Sequence, residues 1–493
     1  MSLPSKVGLP AEVQPELDYS IPSNARSFSV RVQPTNLSSI TATGLNCGTT
    51  AGHLASELAF PQTNILFDIP VGNGSPSTFL DTRMTTLNFK ATITITQQGV
   101  TGTAANQQAV LRAGGASWID MLTLFGGDGA VLEQVNEYGM CYDTITQLMM
   151  SQSVRDAVAL PLGFQSSNAN FNVGHQWSVL SGAFNVANSV EVHSYSLPVM
   201  SALIGSGNDK FLNTGRISRL QAQFTTPSIL PITIQNAATG TAIVFQIVLS
   251  DFTLGLEFID IGNEALSMVD SALIDGKSYS HGVTYKTSST SLPATTGSVS
   301  LLSGLRGSSL KSMITRHQEN LLTTAGDVNG KYGSKCPNAT SFNYSIGGIK
   351  YPQQTINPLS QPALSYTETL KALGCFNTAL YQPSIQPSSY CVLSAGGVVK
   401  AFTNNNGSDY NWTTQPFSSQ GSDYSYQNAF FIGQNLERIA KRGIFSGIDC
   451  TASPIFVEET IAALTNPHTV YNMGIFDVVY IHDIASGLIQ VRM

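Results

Sequence analysis

Apolar and polar residues alternate along much of this chain. Leu87-Asn88-Phe89-Lys90-Ala91-Thr92-Ile93-Thr94-Ile95 places its apolar side chains on one face of an extended strand. Residues 190–198 form a second alternating run, closed by Pro198. Further strands are expected at 64–70, 84–97, 217–224 and 242–261, with Asn73-Gly74 as a turn. Another set follows at 277–285, 298–302, 310–316, 341–351, 392–399, 455–459, 470–482 and 488–493. Residues 364–374 read as a helix stopped by Gly374, and 435–443 as a short helix or a charged loop.

One stretch organises the first half. Gly115-Ala116-Ser117-Trp118-Ile119-Asp120-Met121-Leu122-Thr123-Leu124-Phe125 reads as a buried strand, which Gly126-Gly127-Asp128-Gly129 turns back. Leu132, Val135, Tyr138 and Tyr142 then recur at helical spacing. A fainter echo lies in Ser309, Met313 and Thr315, which repeat Ser117, Met121 and Thr123 at one constant separation. Either the echo is coincidence among common residue types, or it marks two tandem copies of one domain.

Many strands, long connections and few helices predict β-sandwiches, and about eight strands in each half is what a jelly roll needs. The expected fold class is all-β: two tandem eight-stranded jelly-roll sandwiches with short helices and long loops. Residues 1–58, rich in Pro, Ser and Thr with little periodicity, are expected to be an N-terminal arm ordered only through partners. The first roll then spans 59–262 and the second 263–493.

Composition narrows the function. The 493 residues are 42% hydrophobic but only 11% charged, against roughly 25% in ordinary soluble proteins. Scarcity of Lys and Glu is what the buried parts of protein interfaces show. A subunit surrounded by neighbours has this profile, as does a secreted β-rich protein. A net charge of −7 argues against a chain wrapped around nucleic acid, and no sequence-specific nucleic-acid binding is expected. The six cysteines are dispersed without a CxxC pair, so free buried thiols are expected and a zinc site is not. The chain start lacks a basic-then-apolar leader, and no uncharged apolar run reaches the ~18 residues of a membrane span. The protein is therefore expected to fold in solution.

Catalytic motifs are missing. HExxH, GxSxG and GxxxxGK[ST] do not occur, and the seven histidines are scattered without ligand spacing. No catalytic, cofactor or metal residue is assigned. Glu133 and Glu137 would share one helix face, as a solvated face or an interface contact rather than an acid–base pair. His482 and Asp483 are adjacent in a strand, so their side chains diverge. Arg438, Lys441 and Arg442 form the one compact basic group. It reads as an inner-surface patch, or as cations placed near a helix end before Gly443.

Residues 116–125, the glycine-rich turn and Leu132-Glu133-Gln134-Val135-Asn136-Glu137-Tyr138 together resemble a signature of double jelly-roll major capsid proteins. Ser196-Leu197-Pro198-Val199-Met200-Ser201-Ala202-Leu203-Ile204-Gly205 is similar to a second signature, especially as in virophages and Polinton-like viruses. Residues 308–314, 431–438, 443–454 and 475–491 resemble later segments, so the likeness spans about 60–493. It implies two rolls side by side in one chain. Three chains would make a pseudo-hexameric homotrimer tiling an icosahedral shell around double-stranded DNA. It also implies penton and minor capsid proteins as partners, often an internal membrane, and outer towers built from 152–188 and 400–428. The chain would reside in the virion capsid after assembly in the host cytoplasm or nucleus. The alternatives are a secreted or virion-surface β-sandwich adhesin or spike binding glycan or receptor and, further behind, a hydrolase on a β scaffold.

Overall fold

The computed structural model describes residues 25–47, 53–71, 75–98, 107–111, 113–150, 154, 157–163, 177–179, 189–205, 211–235, 242–271, 273–319, 334, 337–358, 360–374, 430–437, 446–464 and 467–492. In chain order the strands begin β1 (Arg26–Val32), β2 (Ser39–Cys47), β3 (His53–Ala59), β4 (Asn64–Ile69), β5 (Thr78–Gln98), β6 (Gln107–Val110), β7 (Met121–Phe125) and β8 (Val131–Asn136). After β8 come helix α1 (Tyr138–Met149), the single turn α2 (Ala159–Leu162), β9 (Trp177–Val179), β10 (Ser189–Pro198), β11 (Leu220–Thr225), β12 (Ile229–Gln235) and β13 (Ala242–Asp260). Helix α3 (Gly262–Ser271) then leads to β14 (Lys277–Leu292), β15 (Gly297–Ser303), β16 (Leu310–Glu319), β17 (Ala339–Ile346) and β18 (Ile349–Ile356). Helix α4 (Pro362–Ala372), β19 (Phe431–Asn435), β20 (Ile455–Ile461), β21 (His468–Asp483) and β22 (Leu488–Arg492) complete the chain.

Strand pairing divides at α3. Among the described residues, strands β1–β13 pair with one another, and so do β14–β22, with no pairing between the two sets. The second set is an eight-stranded sandwich, with orders β14-β21-β16-β19 and β15-β20-β17-β18, and β22 added beside β21. The first set repeats this scheme with its longer positions broken in two. One sheet runs β1-β13-β5-β10, with β2 continuing the β1 edge along β13. The facing layer is split into β4-β11-β7-β8 and β3-β12-β6-β9. Two facing antiparallel layers around each interior make two jelly rolls.

The cores follow from alternation. β20 buries every second residue, and Phe67, Leu122, Leu124 and Phe224 are wholly buried in the first roll. Aromatic rings meet edge-on there, Phe60 with Trp118 at 5.7 Å and Phe67 with Phe224 at 5.9 Å. In β13 the inward set changes from Phe245, Ile247 and Leu249 to Phe252, Leu254, Leu256 and Phe258. A register shift between Ser250 and Thr253, with Asp251 at φ 55, reverses the parity and keeps both apolar sets inside.

Several expectations are corrected. Leu132 and Val135 do not begin a helix: 131–136 is strand β8, and the helix starts at Tyr138. A register shift lets Phe125 pair with Val131 and Leu124 with Glu133, so the adjacent Leu132 and Glu133 are both buried. Two inward neighbours imitate helical spacing. Residues 114–118 form a 3₁₀ turn and only 121–125 the strand, while the expected turn is present, Gly129 at φ 79. Within the expected arm of 1–58, 26–32 and 39–47 form β1 and β2 and His53 begins β3, because Ser27 to Val32 alternates well enough to extend the β13 sheet. The Ser309 echo joins strands in different places: β16 occupies the position of β5, and the counterpart of β7 is β17. The duplication is real in topology, and that echo is coincidence. The stretch 341–351 is a hairpin, β17 and β18, turning at Gly347 and Gly348. Asn73-Gly74 and 392–399 lie outside the described residues, as does all of 400–428 and most of 152–188.

Candidate functional site

The most elaborate polar chemistry lies where the two rolls meet. Its centre is Glu133, 1% exposed on β8. Its carboxylate accepts hydrogen bonds from the Ser201 hydroxyl (2.6 Å), the Ala202 N–H (2.8 Å), the Leu203 N–H (3.4 Å) and the Thr284 hydroxyl (2.8 Å). Thr284 belongs to β14 of the second roll. Burial pushes the Glu133 carboxyl above the ordinary range, and the hydrogen bonds from Ser201, Ala202, Thr284 and Leu203 oppose that rise without cancelling it. The same burial, with the neighbouring charge of Glu133, holds the Tyr480 phenol well above its usual value. Tyr285 is pushed up to about 12 by burial first, then by Cys141 and Glu133.

Residues 198–205 are shaped to present those donors. Pro198 ends β10, and the chain then turns sharply, with Met200 to Ile204 all buried. The Met200 N–H donates to the Tyr138 hydroxyl at 2.8 Å. Ser201 also accepts from the Leu203 and Ile204 N–H groups at 3.2 and 3.1 Å. Gly205 closes the turn because a Cβ there would lie 2.1 Å from the Val199 carbonyl oxygen. Across the seam, a Cβ on Gly282 of β14 would lie 2.5 Å from the Ala202 carbonyl oxygen. Gly282 thus lets the second roll touch the backbone of the first.

A second junction lies beside it. Arg316 of β16 is 2% exposed and reaches into the first roll's helix α1. Its guanidinium donates to Thr144 Oγ1 at 2.8 Å, sits 3.6 Å from the buried Asp143 carboxylate, and covers the Phe431 ring at 5.1 Å. Carbonyls of Asp120 and Ile119 accept from Tyr138 and Gly139, which fixes the start of α1. Thr287 of β14 also donates to the Asn136 carbonyl of β8 at 3.4 Å.

A third junction joins the rolls near α3. Arg216 pairs in two-pronged fashion with Asp270 of α3, at 2.5 and 2.8 Å. That pairing holds the Asp270 carboxyl below its usual range. The His482 ring lies 3.2 Å from the Arg216 carbonyl, and Ser218 N–H donates to Gly487 carbonyl at 2.9 Å. Burial pushes the His482 imidazole below its usual value. A small cavity among Leu203, Arg216, Asp270, Tyr480 and His482 holds about 50 Å³, room for a water or two.

The structure separates the paired acids. Glu133 is a buried strand residue, whereas Glu137 sits at the helix start with φ 49, so no helical face carries both. The reading of an interface contact survives for Glu133 alone, and the interface is internal. His482 faces the inter-roll cavity, while Asp483 accepts from the Ala485 N–H at 3.0 Å in the turn beyond β21. Arg438, Lys441 and Arg442 lie outside the described residues. Among the described residues no group of three or more His, Cys, Asp or Glu is placed to hold a metal, and no helix is long and apolar enough to cross a membrane. Sequence reasoning missed Ser201, Thr284, Gly282 and Arg316. The available signal was Glu133 itself, an acid flanked by Leu132 and Val135 directly after a strand and a hairpin turn.

No protein-family model and no curated protein matches the sequence. The similarity lies in fold. A chain of the Sputnik virophage structure superposes with a TM-score of 0.52 at 13% identity, covering 100% of this chain and 94% of that one. A chain of the PBCV-1 virus capsid gives a TM-score of 0.50 at 10% identity, covering 95% and 97%. This chain has the double jelly-roll fold of those viral structures.

Proposed function

We propose that this protein is a major capsid protein. Its two rolls form one block, and three chains make a pseudo-hexameric homotrimer that tiles an icosahedral shell around a double-stranded DNA genome. The observation that carries this reading is the seam. Glu133, Thr284, Gly282 and Arg316 fasten roll to roll without leaving a reactive group exposed. Such a buried joint fixes the geometry of a building block. The fold shared with the PBCV-1 capsid chain and the low charged fraction of the sequence support the same role. In this reading 59–262 and 263–493 are the two rolls, extended at the front by β1–β3 from the 1–58 segment. Penton and minor capsid proteins, and an internal membrane where the virion has one, are the neighbours. The work is done by shape and burial, with no reaction.

Mass photometry of the purified protein tests the proposal. The expected result is a species of three 52.5 kDa chains at micromolar concentration, with near-sixfold outlines in electron micrographs. Monomers alone, under conditions where the chain is folded, would remove it.

A further inference from the structure

The seam carries two buried ionisable groups of opposite character, set at different places along it. Glu133 is held by Ser201, Ala202 and Thr284. His482 sits beside the connector α3, between Ser278 of β14 and Ile489 of β22. It is 5% exposed, and its Nε2 lies 3.2 Å from the Arg216 carbonyl of the first roll. A carbonyl only accepts, so the neutral ring carries its proton on Nε2 and donates across the seam. The same ring lines the cavity of about 50 Å³ shared by Leu203, Arg216, Asp270 and Tyr480.

A second proton, taken from solvent onto Nδ1, would meet no spare anion among the described residues. Arg216 is itself a cation, and Asp270 of α3 is already gripped at both oxygens by it. Tyr480 is a neutral phenol, while β14 offers Ser278 and Ser280, and β22 offers Ile489. Asp483, on the other side of β21, accepts from the Ala485 and Ser486 N–H groups. Burial first, and Arg216 after it, hold the His482 imidazole below its usual value, although the Arg216 carbonyl and Asp483 pull the other way. Such a group binds its proton more weakly when closed in, so falling pH favours the open form. Glu133 has the reverse sign: burial raises its carboxyl, and acid favours the closed form.

We infer that the α3 end of the seam is an acid-operated hinge: proton uptake by His482 opens this end while the Glu133 end stays shut, and the two rolls pivot about Glu133. Opening lets water reach the new Nδ1–H, and the cavity beside the ring is where that water enters first. The neighbouring bond between rolls, from the Ser218 N–H to the Gly487 carbonyl, parts with it. The hinge needs only the two-roll fold and holds whatever the chain assembles into.

Hydrogen–deuterium exchange of the full chain at about pH 7.5 and about pH 5.5, corrected for intrinsic exchange, tests it. A histidine that charges only in the open form shifts the opening equilibrium by up to about tenfold over that interval. Protection at 214–220 and 484–490 should therefore fall by nearly that factor, with 131–136 and 199–204 unchanged or better protected. His482→Gln keeps a donor for the Arg216 carbonyl but takes no proton. Its protection near pH 7.5 should match wild type, and the loss in acid should vanish. Exchange of the His482 ring C–H in the wild-type protein reads its protonation directly and needs no variant. Opening that precedes protonation of this ring would overturn the inference. So would equal loosening at both ends, no loosening at all, or loosening that survives His482→Gln in a folded variant. None of these results bears on the capsid reading, which stands or falls on the trimer.

Discussion

Replacing Glu133 by Gln probes the seam most directly. The carboxylate accepts from two backbone N–H groups and two hydroxyls, and Ala202 N–H reaches both of its oxygens, at 2.8 and 3.0 Å. A Gln amide keeps one acceptor oxygen and points an NH₂ at the remaining donors. Leu203 N–H retains Ser201 Oγ at 3.2 Å, and the hydroxyls of Ser201 and Thr284 can rotate. One or two donors are then left without an acceptor, at about 1–3 kcal/mol each. The lost carboxylate no longer carries its own burial cost, which offsets part of this. The expected destabilisation near neutral pH is about 2–4 kcal/mol. It should vary with pH in a defined direction. Burial raises the folded-state value above the 4.5 of the unfolded chain, so the fold binds this proton more tightly than the unfolded state does. Wild type therefore gains stability from this group as pH falls from neutrality through the raised value, and the gain is complete below 4.5. The Gln variant has no such gain, so its deficit relative to wild type should widen on acidification. Urea unfolding of both proteins at one fixed concentration, near neutral pH and at about pH 5, measures this. A deficit under ~1 kcal/mol, or one that narrows in acid, would refute the account of Glu133 as a buried, hydrogen-bonded acid.

Other substitutions address the rest of the seam. Arg316→Met removes the cation beside Asp143, and leaving that carboxylate buried should cost about 3–5 kcal/mol. The double variant Arg316→Met/Asp143→Leu should recover much of the loss, and a double-mutant cycle in urea checks the coupling. Gly282→Ala brings a methyl to 2.5 Å from the Ala202 carbonyl oxygen, so the rolls must separate locally at about 1–3 kcal/mol. Faster proteolysis between the rolls, with each roll's fragment surviving, is the expected readout.

The uncovered face of β10 shows why polar patterning alone did not place every surface. Val190 and Val192 are each 60% exposed, while Tyr195 and Leu197 of the same strand are buried. The apolar residues change parity along the strand while the outward face stays the same, and period-two reading fixes only which residues share a side, not which side meets a core. Much else was legible. The long strands at 78–98, 242–260 and 468–483, the Gly126–Gly129 turn and the 362–372 helix ended near Gly374 follow from local periodicity and turn chemistry. These features depend on neighbours in sequence.

What the sequence determined by itself was therefore the kind of element at most positions, the all-β class, and the supply of apolar residues for two cores. Only the tertiary structure decided where those elements meet. Glu133 and Ser201 lie far apart in the chain, and Thr284 belongs to another roll, yet all three share one hydrogen-bonded cluster. The register shift that buries Leu132 and Glu133 together exists only because β7 lies alongside β8. Strand β1, which looked like part of a loose arm, is held by β13 from the far end of its roll. Hydrogen-bond partners across such distances carry no local periodicity. Their positions are set by how the sheets close around the two interiors.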